Sequence, residues 1–140
     1  EETDDFSFEG RRILMAEDNE TNAEIAVSIL EEVHGAHVEV AHNGQEAVDM
    51  FSAHPAGYYD FILMDVQMPV MDGRTAARTI RALPRPDAKT ELIFALSADA
   101  FSEDERQSVE AGMNGHFSKP VNYDELRRCV GTFFKSREDV

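Results

Sequence analysis

The chain has 140 residues, with 13 Lys or Arg against 28 Asp or Glu, a formal net charge of −15 at pH 7. At 42% hydrophobic and 29% charged it has the composition of one soluble globular domain, and an excess of acid this large excludes direct binding to nucleic-acid phosphates and disfavours anionic membrane surfaces. Its single cysteine, Cys129, excludes an intrachain disulfide and a Cys-based metal site; no apolar run approaches the ~18 residues that span a bilayer, and no signal peptide is expected.

Residues 1–10 carry Glu1, Glu2, Asp4, Asp5 and Glu9 and are expected to form an acidic linker or tail, from which Phe6 and Phe8 can pack onto the body. The first residue is Glu, not Met, as expected of a piece of a longer chain. A domain over residues 11–135 is expected, followed by a tail over 136–140.

Arg12 to Glu17 is a short apolar run with a polar end, a buried strand. Asn19 to His34 has helical spacing, with Ile25, Ala26, Ile29, Leu30 and Val33 on one face, and Gly35 is a natural stop. His37 to Ala41 alternates as a second strand. Asn43 to Ala53 is a helix with Ala47, Val48, Met50 and Phe51 inward, and Phe61 to Asp65 is the third and most apolar strand. Asp72 caps a helix from Gly73 to about Leu83, ended by Pro84 and Pro86. Leu92 to Leu96 is the fourth strand. A helix from Ser102, with Glu105 completing a capping box, runs to Gly112 and is anchored by Phe101, Val109 and Met113. Gly115 to Ser118 is a fifth strand, and Asn122 caps a last helix whose Leu126, Cys129, Val130, Phe133 and Phe134 form one stripe.

Five βα units with short apolar strands predict an α/β fold, a doubly wound five-stranded parallel sheet. In the flavodoxin-like (βα)5 order 2-1-3-4-5, the carboxyl ends of strands one and three are neighbours, and ligands bind there. Glu17, Asp18 and Asp65 would then converge, with Ser97 and Lys119 after strands four and five. Three carboxylates in one cleft repel each other unless a cation offsets them. A hard divalent ion, Mg²⁺ (or Mn²⁺), suits that oxygen set. A carboxylate, a metal, a hydroxyl and an ammonium around one point match phosphoryl transfer to the carboxylate. His34, His37, His42 and His54 lack metal spacing and are expected on the solvated surface.

These residues lie in Ala16-Glu-Asp-Asn19, Leu63-Met-Asp-Val-Gln-Met-Pro69, Met71-Asp-Gly73, Leu96-Ser-Ala98 and Ser118-Lys-Pro120. Together and in this order they resemble a response-regulator receiver domain over about residues 10–135. The runs Glu17–Asn22 and Met113–Pro120 are most similar to receivers of hybrid sensor histidine kinases. The resemblance implies that Asp65 is the phosphoacceptor, Asp18 a direct metal ligand and Glu17 a ligand through water. It implies that Gln67 lends its backbone carbonyl to the metal, that Ser97 is the switch hydroxyl, that Lys119 binds the phosphoryl group and that Lys119–Pro120 is cis. His116 stands where many receivers carry a switch Tyr or Phe, a departure that puts the usual aromatic rotation in doubt.

The implied function is a phosphorelay receiver that takes a phosphoryl group from phosphohistidine, turns over no metabolite and signals by a conformational switch. The implied partner is a histidine kinase core or a histidine phosphotransfer domain. The implied location is cytoplasmic, in a parent hybrid kinase that can be anchored in the inner membrane. An aspartate-nucleophile phosphatase is disfavoured because Gln67 stands where its general acid belongs. A flavodoxin-like cofactor site is disfavoured because the loop after strand one is acidic, not rich in donors. The alternative is a pseudo-receiver, an interaction module that is never phosphorylated.

Overall fold

The apolar runs at residues 12–16, 61–65 and 93–97 become strands because helices on both faces bury them. In the computed structural model, which describes residues 6–98 and 102–138, the strands are β1 (Arg12–Ala16), β2 (His37–Ala41), β3 (Phe61–Asp65), β4 (Ile93–Ser97) and β5 (Gly115–Ser118). The helices between and after them are α1 (Glu20–Ser28), α2 (Gly44–Ser52), α3 (Gly73–Arg81), α4 (Ser102–Glu110) and α5 (Tyr123–Glu138). All strand pairs are parallel, in the order β2-β1-β3-β4-β5. This is the doubly wound, flavodoxin-like arrangement. β1 ends one residue earlier than expected and β4 is shifted by one residue, so Ser97 closes β4 instead of following it.

Alternation along the strands divides the apolar side chains into two layers. Leu14, Ile62 and Met64 face Val48, Phe51, Ala76 and Ile80 of α2 and α3. Ile13, Met15, Leu63, Phe94 and Leu96 face Leu30, Leu126 and Val130 on the α1 and α5 side. Each fully buried large side chain contributes about 1.5–3 kcal/mol. Asn19, Asn43, Asp72 and Asn122 cap their helices, each accepting from the amide three residues on. Phe6 and Phe8 do pack: Phe8 is buried, Phe6 stacks on Phe134, and the Arg11 guanidinium lies over both Phe6 and Phe134.

Two helices depart from their expected faces. Ile25 and Val33 are 52% and 72% exposed, whereas Ala26 and Leu30 are buried. Ile25 precedes any irregularity and lies beside the buried stripe of Ala23, Ala26 and Leu30, whereas Val33 falls in a π-helical turn, Ile29–Val33, which continues α1 with a wider repeat. A stripe drawn at the α-helical period fails across it. In α4, Val109 is 64% exposed and Ser108 is buried in its place. Phe101 and the side chain of Ser102, and with it the capping box, lie outside the described residues. His34 and His54 are half-buried: Phe8 covers His34, and Tyr58 stacks on His54 at 3.7 Å.

At the far edge of the sheet, Glu39 on β2 accepts hydrogen bonds from the hydroxyls of Tyr58 and Tyr59, each at 2.7 Å. Burial alone would raise the Glu39 carboxyl, but the two phenols outweigh it and hold it below the usual glutamate range. A depressed carboxyl stabilises the fold at pH values above its unfolded pKa of about 4.3 and stops doing so as pH falls through the folded value. Glu39→Gln is therefore expected to cost about 1 kcal/mol at pH 7. It should also flatten the loss of stability between pH 5 and pH 3 (roughly this range). Chemical denaturation across that range checks both; an unchanged acid limb rules out the Glu39 contribution.

Candidate functional site

Parallel strands all present their carboxyl ends at one edge, and the polar residues sit there. Glu17 follows β1, and its amide bonds Ala41 of β2. Asp65 is the last residue of β3. Lys119 follows β5, with its amide on the Ser97 carbonyl. The Lys119–Pro120 peptide is cis.

Glu17, Asp18 and Asp65 each offer a carboxylate oxygen, and these three atoms lie within 4.8 Å of one another. Glu17 and Asp65 are buried, and Asp18 is exposed at the mouth. The Lys119 Nζ donates to Asp65 Oδ2 at 2.6 Å and to Glu17 Oε1 at 3.2 Å. The remaining oxygens are fixed by backbone: Gln67 N–H on Asp65 Oδ1 and Asn19 N–H on Glu17 Oε2, both at 3.1 Å. A cavity of about 240 Å³ opens over the cluster, lined also by Asn19, Asn22, Val66, Gln67, Ser97 and Ala98.

Burial pushes the Glu17 carboxyl above its usual range, with the Asp65 charge adding to it and the Asn19 amide and Lys119 pulling back. For Lys119, burial disfavours the ammonium, but Asp65 and Glu17 outweigh it and hold the group protonated more firmly than a free lysine. The site is thus a buried anionic pair neutralised in part by one ammonium. An all-oxygen set with excess negative charge fits a hard divalent cation and not a soft one.

Ser97 is buried and lines the cavity. His116 is half-buried on β5, opposite Ala95. It therefore projects from the same face of the sheet as Ser97, which lies two residues beyond Ala95. Asn22 and Tyr123 were not singled out from the sequence, yet Asn22 lines the acidic cavity and both border an adjoining groove. The available signal was Asn22's place one turn into α1, four residues after Asp18. Burial, then Glu17, raises the Tyr123 phenol.

The loop after Asp65 is strained. Val70 has φ +67° and the Met71 N–H bonds the Pro69 carbonyl at 2.7 Å, the left-handed γ-turn form. A β-branched residue there costs of order 1 kcal/mol. Because Val70 is 82% exposed, removing its side chain sacrifices little packing. Val70→Gly is expected to raise Tm by about 3 °C, read by calorimetry. A lower Tm would show that the loop carries no strain at this residue.

Residues 13–131 match the response regulator receiver domain family. The chain belongs to the response regulator receiver family. This receiver is 35% identical over 124 residues to hybrid signal transduction histidine kinase K of Dictyostelium discoideum, covering 85% of the receiver and 10% of the kinase. It is 33% identical over 137 residues to the Escherichia coli aerobic respiration control sensor protein ArcB, covering 97% of the receiver and 17% of ArcB. The receiver thus spans a small part of the curated relatives it matches.

Among solved structures, it resembles the receiver domain of a Pseudomonas aeruginosa sensor histidine kinase with a magnesium ion in its active-site cleft. That match has a TM-score of 0.75 and 36% identity, covering 86% of this chain and 93% of that one. It also resembles the co-crystal structure of the Saccharomyces cerevisiae histidine phosphotransfer protein Ypd1 and the receiver domain of Ssk1, with a TM-score of 0.73, 32% identity and 85% of each chain covered. Among the described residues, no helix is long and apolar enough to cross a membrane.

Proposed function

We propose that Asp65 accepts a phosphoryl group from a phosphohistidine. The observation that carries this reading is the Asp65–Lys119 contact of 2.6 Å inside a cavity ringed by two further carboxylates. An Asp65 carboxylate oxygen attacks phosphorus, the phosphorus–nitrogen bond breaks, and the imidazole keeps the bonding pair and is protonated. Lys119 holds Asp65 in place and meets the phosphoryl oxygens as a compact positive charge. The Ser97 hydroxyl hydrogen-bonds one of those oxygens and reports the modification. Glu17, Asp18, Asp65 and the Gln67 carbonyl would hold Mg²⁺ or Mn²⁺, which supplies charge neutralisation on the transferred oxygens.

The partner reading rests on shape. A groove of about 410 Å³ runs beside the site between α1 and the loop after β5, lined by Met15, Ile25, Ile29, Pro120 and Val121. Exposed Ile25 gives it an apolar lip. A helical histidine phosphotransfer domain, or a kinase core, fits as the donor or acceptor that docks there. The parent protein is then a hybrid histidine kinase with this domain in the cytoplasm.

The test is intact mass after incubation with Mg²⁺ and acetyl phosphate, with and without EDTA. One added phosphoryl group, lost with EDTA, is the expected result. No adduct from acetyl phosphate or from a phosphorylated histidine phosphotransfer domain would leave the pseudo-receiver reading in its place.

A further inference from the structure

Helix α4 is held by polar groups where an apolar face would be expected. Ser108 is its one buried residue among those with described side chains, and Val109 points outward. Positions 104, 107 and 108 form one stripe at helical spacing, and all three meet the same side chain. Arg74, in the first turn of α3, donates Nη1 to Gln107 Oε1 at 2.8 Å and Nε to Ser108 Oγ at 3.4 Å. Its Nη2 donates to the Asp104 carbonyl at 3.0 Å and to Asp104 Oδ1 at 3.2 Å. All three guanidinium nitrogens are therefore spent on α4. The Arg74 and Asp104 side chains are only 16% and 26% exposed, so solvent screens the pair weakly.

The same guanidinium faces the acceptor loop. Arg74, Arg78, Asp72 and Asp104 line a polar cavity of about 230 Å³ whose other walls are Val66, Gln67 and Ser97. Those last three residues also line the acidic cavity over Asp65. A charge placed on Asp65 is thus one wall away from Arg74.

We propose that Arg74 is a latch: it fixes α4 while Asp65 is unmodified and releases it when Asp65 carries a phosphoryl group. The release half rests on the function proposed above. An acyl phosphate on Asp65 carries nearly two negative charges where the carboxylate carried one, so the site gains about one negative charge, as much as Asp104, the present carboxylate partner of Arg74, supplies. The guanidinium is drawn toward the Gln67 and Ser97 wall, and α4 loses the contacts that replace an apolar face. Such an element has two discrete arrangements, and one local charge change biases them.

The test is hydrogen–deuterium exchange over residues 102–110 in the 140-residue chain, with intact mass recorded on the same samples. Arg74→Gln and Asp104→Asn attack the latch from opposite sides, so a folding defect in one leaves the other informative. Unmodified Arg74→Gln is expected to exchange these amides at least tenfold faster than wild type, with β1, β3 and β4 protected as before. Wild type phosphorylated with acetyl phosphate should show the same rise, and phosphorylated Arg74→Gln no further rise. Equal α4 exchange in unmodified wild type and both variants would overturn the latch. An undiminished response to phosphorylation in Arg74→Gln would overturn the release. A wild type that takes up no phosphoryl group, either from acetyl phosphate or from a phosphorylated histidine phosphotransfer domain, would overturn the proposed function and the release with it. That failure is told apart from failure of the latch because the unmodified comparison involves no phosphate.

Discussion

In Asp65→Asn, phosphoryl uptake is expected to fall to background while the fold survives. Asn preserves the shape of the strand end, and its Oδ1 can still accept from the Gln67 amide, now at 3.1 Å from Asp65 Oδ1. Its neutral amide supplies no carboxylate nucleophile. At the other oxygen, Lys119 Nζ loses a partner at 2.6 Å and keeps Glu17 at 3.2 Å. Two opposing terms change together: the Asp65–Lys119 attraction disappears, and so does the Asp65–Glu17 repulsion that raises the Glu17 carboxyl. The net effect on stability is therefore small, within about 1 kcal/mol. Intact mass under Mg²⁺ and acetyl phosphate, beside a urea melt, separates the two quantities. Uptake at the wild-type rate would place the acceptor on another side chain. Lost uptake with a collapsed melting transition would mean that the carboxylate is needed for the fold itself.

Gly73→Ala is expected to be among the most destabilising single methyl additions in this domain. Helix propensity favours Ala over Gly by about 1 kcal/mol, so propensity alone predicts a gain. Contact decides the sign. A Cβ at Gly73 would sit 2.1 Å from the Asp65 carbonyl oxygen and 2.9 Å from its carbon, both backbone atoms that no rotamer can move aside. Gly73 N–H also bonds the Val66 carbonyl at 2.9 Å, so the start of α3 is pinned against the acceptor loop. The opposite side of that loop is equally close: a Cβ at Gly44 would lie 2.3 Å from the Met71 carbonyl oxygen. Squeezed between α2 and α3, the loop cannot retreat. We expect a net loss of about 3 kcal/mol, or roughly 10 °C in Tm. Phosphoryl uptake should fall with it, because the carbonyl that must shift belongs to Asp65. An unchanged denaturation midpoint would show that the loop yields freely.

Strands and caps were legible in the sequence because their causes are local. Phe61 to Met64 is apolar without a break, so two-sided burial follows, and Asn19, Asn43, Asp72 and Asn122 bond amides three residues away. The candidate site was legible for a topological reason: once the strand order is known, every strand's carboxyl end lies at one edge, which brings Glu17, Asp18, Asp65, Ser97 and Lys119 together. What was hidden depends on partners distant in sequence or on a change of period. Glu39 meets Tyr58 and Tyr59 some 20 residues on. Arg74 meets Gln107 33 residues on, and neither segment announces the other. Val33 leaves the expected stripe because an α-helical period does not hold through the π-helical turn, and Ile25 because adjacent apolar positions, Ile25 and Ala26, leave open in the sequence which of them faces inward.

That turn has a consequence for the two sides of the chain that it joins. A π-helical repeat holds more residues per turn than an α-helix. Ile29–Val33 therefore takes up chain length without displacing what lies before it. Upstream of Ile29, Asn22 keeps its place over the acidic cavity and Ile25 its place on the groove. Downstream, Gly35 and β2 still meet the sheet edge in register. The turn itself serves both sides at once: Ile29 stays on the groove, Leu30 stays in the core, and the Ala36 amide closes on the Leu30 carbonyl at 3.0 Å, while Val33 is turned out to solvent.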